Sequence, residues 1–294
     1  MQIGEKIKRL RLSKLMTQAD LAGTQITRNM LSSIEHGTAL PSLPTAMYIA
    51  ERLNVPVGYL LSDEDQEFFY RKMMSMENIR RAFEVNDYAG CLSLLLALGE
   101  ERDDELFLLR AECEYGIAKQ SLEQGRLRFA ALALDRALEA TYKTVYDTVW
   151  LRERAAVCFR YMMDISSTLV SDVFDDSEIE NARALGDPLV EYVMAIEALK
   201  GDRAKSAKDF ITRYPDSLYA VRLSALLLME EGEYKKAQGI LEALLNRDEL
   251  TFGVLLYEVF GDLELCYRKN DDYKKAYEFS GSRLGILEKM LEEV

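Results

Sequence analysis

Residues 17–37, TQADLAGTQITRNMLSSIEHG, leave this chain little freedom in how it begins. Thr17 suits a helix N-cap, and Asp20 three residues on makes a capping box with aspartate where glutamate or glutamine is usual. Leu21 and Ala22 form a first apolar face. Residues 23–26 break the helical period, Thr27 offers a second cap, and Leu31 and Ile34 make an inward i, i+3 pair. Gly37 supplies the left-handed residue that ends many helices. The spacing predicts two short helices and a tight turn. Outward on the second lie Arg28, Asn29, Ser32 and Ser33. Such side chains bond base edges: arginine to guanine, asparagine to adenine, serine to either.

The flanks extend the pattern. Ile3, Ile7, Leu10 and Leu15 recur at helical spacing, with Lys6, Arg9 and Lys14 off that stripe, which predicts an amphipathic first helix with a basic outer face. Ser42 is a cap for a fourth helix that tolerates Pro44 in its first turn. Ala46, Ile49, Ala50 and Leu53 mark its inner face, and a short fifth helix follows over residues 57–61. Residues 1–62 carry a net charge of +3 within a chain of net −13, so a weakly basic head precedes a strongly acidic body. Phosphate binding needs local positive charge, and at physiological salt fields fade over about 8 Å. The head is therefore the candidate nucleic-acid surface.

Five short helices in this order resemble the Cro/C1-type (XRE) helix-turn-helix repressors. The matching residues are Thr17-Gln18, Leu21-Ala22, Ile26-Thr27-Arg28, Ile34-Glu35-His36-Gly37, Pro41-Ser42, Leu53-Asn54-Val55-Pro56 and Tyr59-Leu60-Leu61. The resemblance implies a lambda-repressor-like DNA-binding domain over residues 1–62. It implies that Gln18 bonds a phosphate or braces the recognition helix, and that Arg28, Asn29 and Ser33 touch base edges with Ser32 between them. Thr27 would cap the helix and bond a phosphate, and Arg11 and Glu35 would tie the first helix to the third. Three features depart from the family pattern: residues 22–26 are one residue short, His36 replaces a common asparagine, and Thr38 replaces a common lysine. No acid or nucleophile pattern surrounds His36, the only histidine, so helix-end packing or solvent exposure is its expected role.

Residues 63–66 form a polar junction, and the texture then changes. Only Pro188 and Pro215 of five prolines lie beyond residue 62, so long helices are expected and the whole chain reads as all-α. Glu233-Tyr234-Lys235-Lys236-Ala237 and Asp272-Tyr273-Lys274-Lys275-Ala276 are two copies of one motif, with looser echoes at residues 87–91, 125–130 and 201–204. The small residue falls at 91, 130, 204, 237 and 276, near one or two periods of 34 to 40 residues. This resembles tetratricopeptide repeats, with Ala237 and Ala276 as the small residue of the second helix and Leu228 and Tyr267 as the bulky residue of the first. Residues 142–185 predict helices without a repeat. The resemblance implies an α-solenoid over residues 67–294 whose inner face commonly takes a peptide or partner. On that face it would set Glu112, Tyr115 and Lys119, then Tyr219, Arg222 and Met229, then Arg268 and Lys269, groups suited to a peptide's carboxylate or backbone.

No glycine-rich phosphate loop, paired His/Glu spacing or nucleophile elbow occurs, so neither enzymatic activity, nor a cofactor, nor a catalytic or metal site is expected. Cys91, Cys113, Cys158 and Cys266 are scattered among apolar helical residues and read as buried small hydrophobes. No run approaches about 18 apolar residues, so a cytoplasmic chain without a membrane segment is expected. The architecture resembles the peptide-responsive quorum-sensing regulators: a homodimer that binds double-stranded DNA and senses a peptide or other ligand. The alternative is a DNA-tethered adaptor whose repeats dock another protein.

Overall fold

The computed structural model describes residues 2–99, 103–167, 186–201 and 203–292. Part of the helical region expected over residues 142–185 therefore lies outside the described residues. Those described form sixteen α-helices and no strand. None of these helices is long and apolar enough to cross a membrane. Backbone proximity divides the chain into two compact units, residues 1–101 and 102–294.

The first unit contains α1 (Ile3–Ser13), α2 (Gln18–Ala22), α3 (Arg28–Glu35), α4 (Leu43–Arg52), α5 (Val57–Leu61), α6 (Glu64–Glu84) and α7 (Tyr88–Leu98). Its core gathers Ile7, Leu21, Leu31, Ile34, Ile49, Leu53 and Leu60, each with at most 1% of its surface exposed. Ser42 caps α4 by accepting from the Thr45 amide, as its sequence suggested. Two expectations for α1 need correction. The helix stops at Ser13, and Leu15 takes a left-handed φ of 56° that leaves it 93% exposed, so it is not part of the inner stripe. Lys6 is fully buried, not outward. Its ammonium donates to the Ser62 carbonyl at 2.7 Å, the Ser62 hydroxyl at 3.0 Å and the Tyr59 carbonyl at 3.3 Å. A buried cation needs such partners, and these lie more than fifty residues away, where helical periodicity cannot register them.

The second unit contains α8 (Asp104–Glu123), α9 (Leu127–Thr141), α10 (Val149–Ile165), α11 (Pro188–Lys200), α12 (Lys205–Arg213), α13 (Leu218–Glu230), α14 (Tyr234–Leu245), α15 (Val254–Lys269) and α16 (Tyr273–Glu292). Successive helices pack as pairs: α8 with α9, α11 with α12, α13 with α14, α15 with α16. A helical, solenoid-like stack results, and one turn recurs within it. Gly125, Gly232 and Asp271 have φ of 75°, 78° and 62°, each two residues before the second helix of a pair. The left-handed residue ends the first helix and turns the chain back. Three positions into the second helix stands a buried small residue: Ala130, Ala237 or Ala276. Asn86, at φ 59°, and Cys91 repeat the device between α6 and α7 in the first unit. In α12 the buried small residue is Ala207, fully enclosed, whereas Ala204 precedes the helix and is only half-buried. The repeat register there is therefore three residues later than expected. All four cysteines are buried, and none forms a disulfide among the described residues.

Candidate nucleic-acid interface

The geometry of α2 and α3 follows from their caps. The Thr17 hydroxyl accepts from the Asp20 amide at 3.1 Å, and the Asp20 carboxylate accepts from the Thr17 amide at 2.8 Å, closing the capping box. Those bonds from Thr17 hold the Asp20 carboxyl below the usual range. Thr27 accepts from the Met30 amide at 3.1 Å and starts α3. Gly37, at φ 72°, lies two residues past its end. Leu31 and Ile34 are buried, so the helix is fixed in rotation and its opposite face is turned outward. Arg28 and Asn29 are exposed there, and Ser32 and Ser33 are half-buried. Asn29, Ser32, Ser33, His36 and Thr38 line one open depression, and Arg28 borders another with Gln18 and Thr17.

Behind this face sits a polar bracket. Arg11 Nε donates to Glu35 Oε1 at 2.7 Å, Nη2 to Oε2 at 3.1 Å, and Nη1 to the Met16 carbonyl at 2.8 Å. Gln18 Nε2 adds a bond to Glu35 Oε2 at 2.8 Å. Burial pushes the Glu35 carboxyl up, but the bonds from Arg11 and Gln18 outweigh it and hold the group below the usual carboxylate range. Of the two roles implied for Gln18, the structure displays the bracing contact. The bracket joins α1, α2 and α3 through one carboxylate.

The α2–α3 turn is clasped from α4, by residues that sequence reading passed over. Tyr48 Oη donates to the Ala22 carbonyl at 2.9 Å and Arg52 Nη2 to the Asp20 carbonyl at 2.5 Å. Both satisfy carbonyls that the end of α2 leaves without intrahelical partners. Gly23 lies under them with φ 54° and ψ −133°, a region open essentially to glycine alone. A Cβ there would stand 2.4 Å from the Tyr48 hydroxyl. An aromatic and an arginine at i, i+4, off the apolar face of α4, were the available signal. Beyond α5, Glu67 of α6 accepts from Arg9 at 2.7 Å and lies 3.7 Å from Lys6. The same side chains that hold α1 to α5 thus hold it to α6.

Residues 7–60 match the helix-turn-helix family. They are a helix-turn-helix domain. No curated protein matches the chain. Among solved structures, PlcR of Bacillus thuringiensis, in complex with the peptide PapR7 and DNA, is similar at 15% identity over 99% of each chain, with a TM-score of 0.26. ComR of S. thermophilus, in complex with DNA and its signalling peptide ComS, is similar at 17% identity over 97% of this chain and 99% of that one, with a TM-score of 0.24. The apo form of ComR from Streptococcus vestibularis is similar at 16% identity over 97% of each, with a TM-score of 0.20. In the helix-turn-helix domain of the present chain, α2 and α3 are the two helices on either side of the turn, and Gln18 of α2 is bonded to Glu35 of α3.

The candidate ligand residues of the second unit fall into three places. Tyr115 and Lys119 meet at Asp187, whose Oδ2 accepts from both at 2.9 Å. Burial pushes the Asp187 carboxyl up, but Lys119 and Tyr115 more than offset this and keep it below the usual range. Tyr219 packs at a tilt of 35° against Tyr192, ring centroids 4.3 Å apart, and its hydroxyl donates to Glu123 at 3.4 Å. Arg222 is buried, donating to Asp262 at 2.6 Å and Tyr192 at 2.5 Å, with Glu258 at 2.7 Å. Glu112 is half-buried and Met229 buried. Arg268 and Lys269 are exposed and separate from the rest. The acids Asp187, Glu258 and Asp262, absent from the sequence-based set, engage Lys119 and Arg222.

Proposed function

We propose that this chain is a DNA-binding transcription regulator, in which residues 1–62 read a sequence and the helical-repeat body decides when they do so. One observation carries the reading: α3 is locked by Leu31, Ile34 and the Arg11–Glu35–Gln18 bracket, leaving Arg28 and Asn29 exposed on the opposite face. Such a helix presents donors and acceptors to a major groove with little orientational freedom to lose. Two heads paired in a homodimer would read half-sites one turn apart, about 34 Å. The chain would act where the DNA is, in the cytoplasm.

For the body we propose sensing of a peptide. Partly exposed Lys119 and Tyr219, with exposed Arg268 and Lys269, offer polar groups to a peptide backbone. Arg222 serves the fold instead, since it is itself buried and paired with both Glu258 and Asp262. A bound peptide changes DNA affinity only by its differential affinity for the two arrangements of the heads. Fluorescence anisotropy with genomic promoter fragments, with and without secreted peptide fractions, tests both parts. A promoter that binds, with affinity changed by a peptide, supports the sensor. Failure to bind any duplex contradicts the DNA reading, and binding unaffected by every peptide contradicts the sensing role.

A further inference from the structure

His36 is the only histidine in the chain, and it closes α3. Its Nδ1 lies 2.7 Å from the Ser32 carbonyl oxygen. A carbonyl can only accept, so Nδ1 carries the hydrogen and the neutral ring has its lone pair on Nε2. The side chain is exposed, and Nε2 makes no hydrogen bond among the described residues. Asn29, Ser32 and His36 share one stripe of the helix and line the same depression. From Asn29 to His36 the helix advances about 10 Å, against a major groove about 12 Å wide. If the first turn of α3 met base edges, the far end of that stripe would lie within about one groove width of them, where backbone phosphates flank the groove.

We propose that His36 contacts a DNA phosphate, and that DNA binding takes up a proton there. The neutral ring would aim a lone pair at an anionic oxygen. The imidazolium, with Nε2–H added, donates to that oxygen and brings a positive charge, while Nδ1–H keeps its bond to Ser32. Protonated His36 also suits the negative C-terminal end of α3. Packed against α3, α1 brings Glu5, Lys6, Lys8, Arg9 and Arg11, and α2 brings Asp20. Lys6 and Arg9 are turned to Tyr59, Ser62 and Glu67, Arg11 and Lys8 act on Glu35, and Asp20 is bound to Thr17. None of these is bonded to the imidazole, which leaves it to respond to the DNA.

This inference rests on the DNA-binding reading, and its test separates the two. The full chain is titrated with a mixed-sequence duplex at about pH 6 and about pH 8, beside His36→Gln, which removes the charge from an exposed site. A phosphate contact is sequence-independent, so no operator is needed. Affinity of the parent should rise about three- to tenfold on acidification, with the variant nearly flat and its salt slope shallower by about one. Since one histidine gives one ring signal, imidazole NMR of the parent at a fixed pH near neutrality should show the ring moving toward its protonated form when DNA is added. Equal pH responses of parent and variant, or a ring signal indifferent to DNA, would overturn the proposal and leave the DNA reading standing. No binding at either pH would overturn both.

Discussion

Glu35 ties three helices of the head together, because it accepts from α1 and α2 while belonging to α3. Glu35→Ala leaves the Arg11 guanidinium buried without its partner, a loss of about 3–5 kcal/mol. Hydrogen exchange of the α1 and α3 amides in the full chain should show it. The folded carboxyl lies below its ordinary value of 4.5, so its contribution is fully present above about 4.5 and disappears as pH falls through the folded value. The gap in protection between the parent and Glu35→Gln should therefore shrink as acid is added, and a gap constant to about pH 3 would refute the assignment. This pair was expected only through the family resemblance, which implied that Arg11 and Glu35 tie the first helix to the third. Lys6 was not foreseen as buried: its burial depends on backbone carbonyls of Tyr59 and Ser62, which no side-chain pattern marks.

Among the elements, the α2–α3 turn is the most constrained. Gly23→Ala puts a Cβ against the Tyr48 hydroxyl on a backbone that alanine rarely adopts, costing about 1–3 kcal/mol. The turn must also shift, so selectivity for a preferred site should fall more than affinity for mixed sequence. If both fall equally, the clasp has no role in aiming α3. The caps of α2, α3 and α4 were readable because a cap is local, involving residues three apart. The clasp was hidden because it joins α4 to the carbonyls at the end of α2. The same contrast holds in the repeats. Turns marked by acid-Tyr-Lys-Lys-Ala were located, whereas the α11–α12 pair lacks that motif and its small residue was read as Ala204 in place of Ala207.

At the level of the whole molecule, a compact head unit reaches residue 101 and includes α6 and α7, so the polar junction at residues 63–66 separates compositions within one unit. The charge contrast between head and body was visible in the sequence. What neutralises what inside the body was not, since Arg222, Tyr192, Glu258 and Asp262 converge from three helices. Arg222→Ala strands two acids and should destabilise the second unit by about 3–5 kcal/mol. Fluorescence of Trp150, the only tryptophan and part of the second unit, should report earlier unfolding in urea, with protection of α1–α5 amides unchanged. An unchanged urea midpoint would return Arg222 to the list of groups free to meet a ligand. The decisive measurement concerns α3. A preferred site is selected from a randomised duplex pool with the full chain, and Arg28→Ala is compared with the parent on that site and on mixed sequence. Expected is a loss of about 1–3 kcal/mol at the preferred site with relaxed choice at one base position, and a much smaller change on mixed sequence. Parent-like affinity and parent-like base choice in Arg28→Ala would contradict α3 as the element that reads DNA.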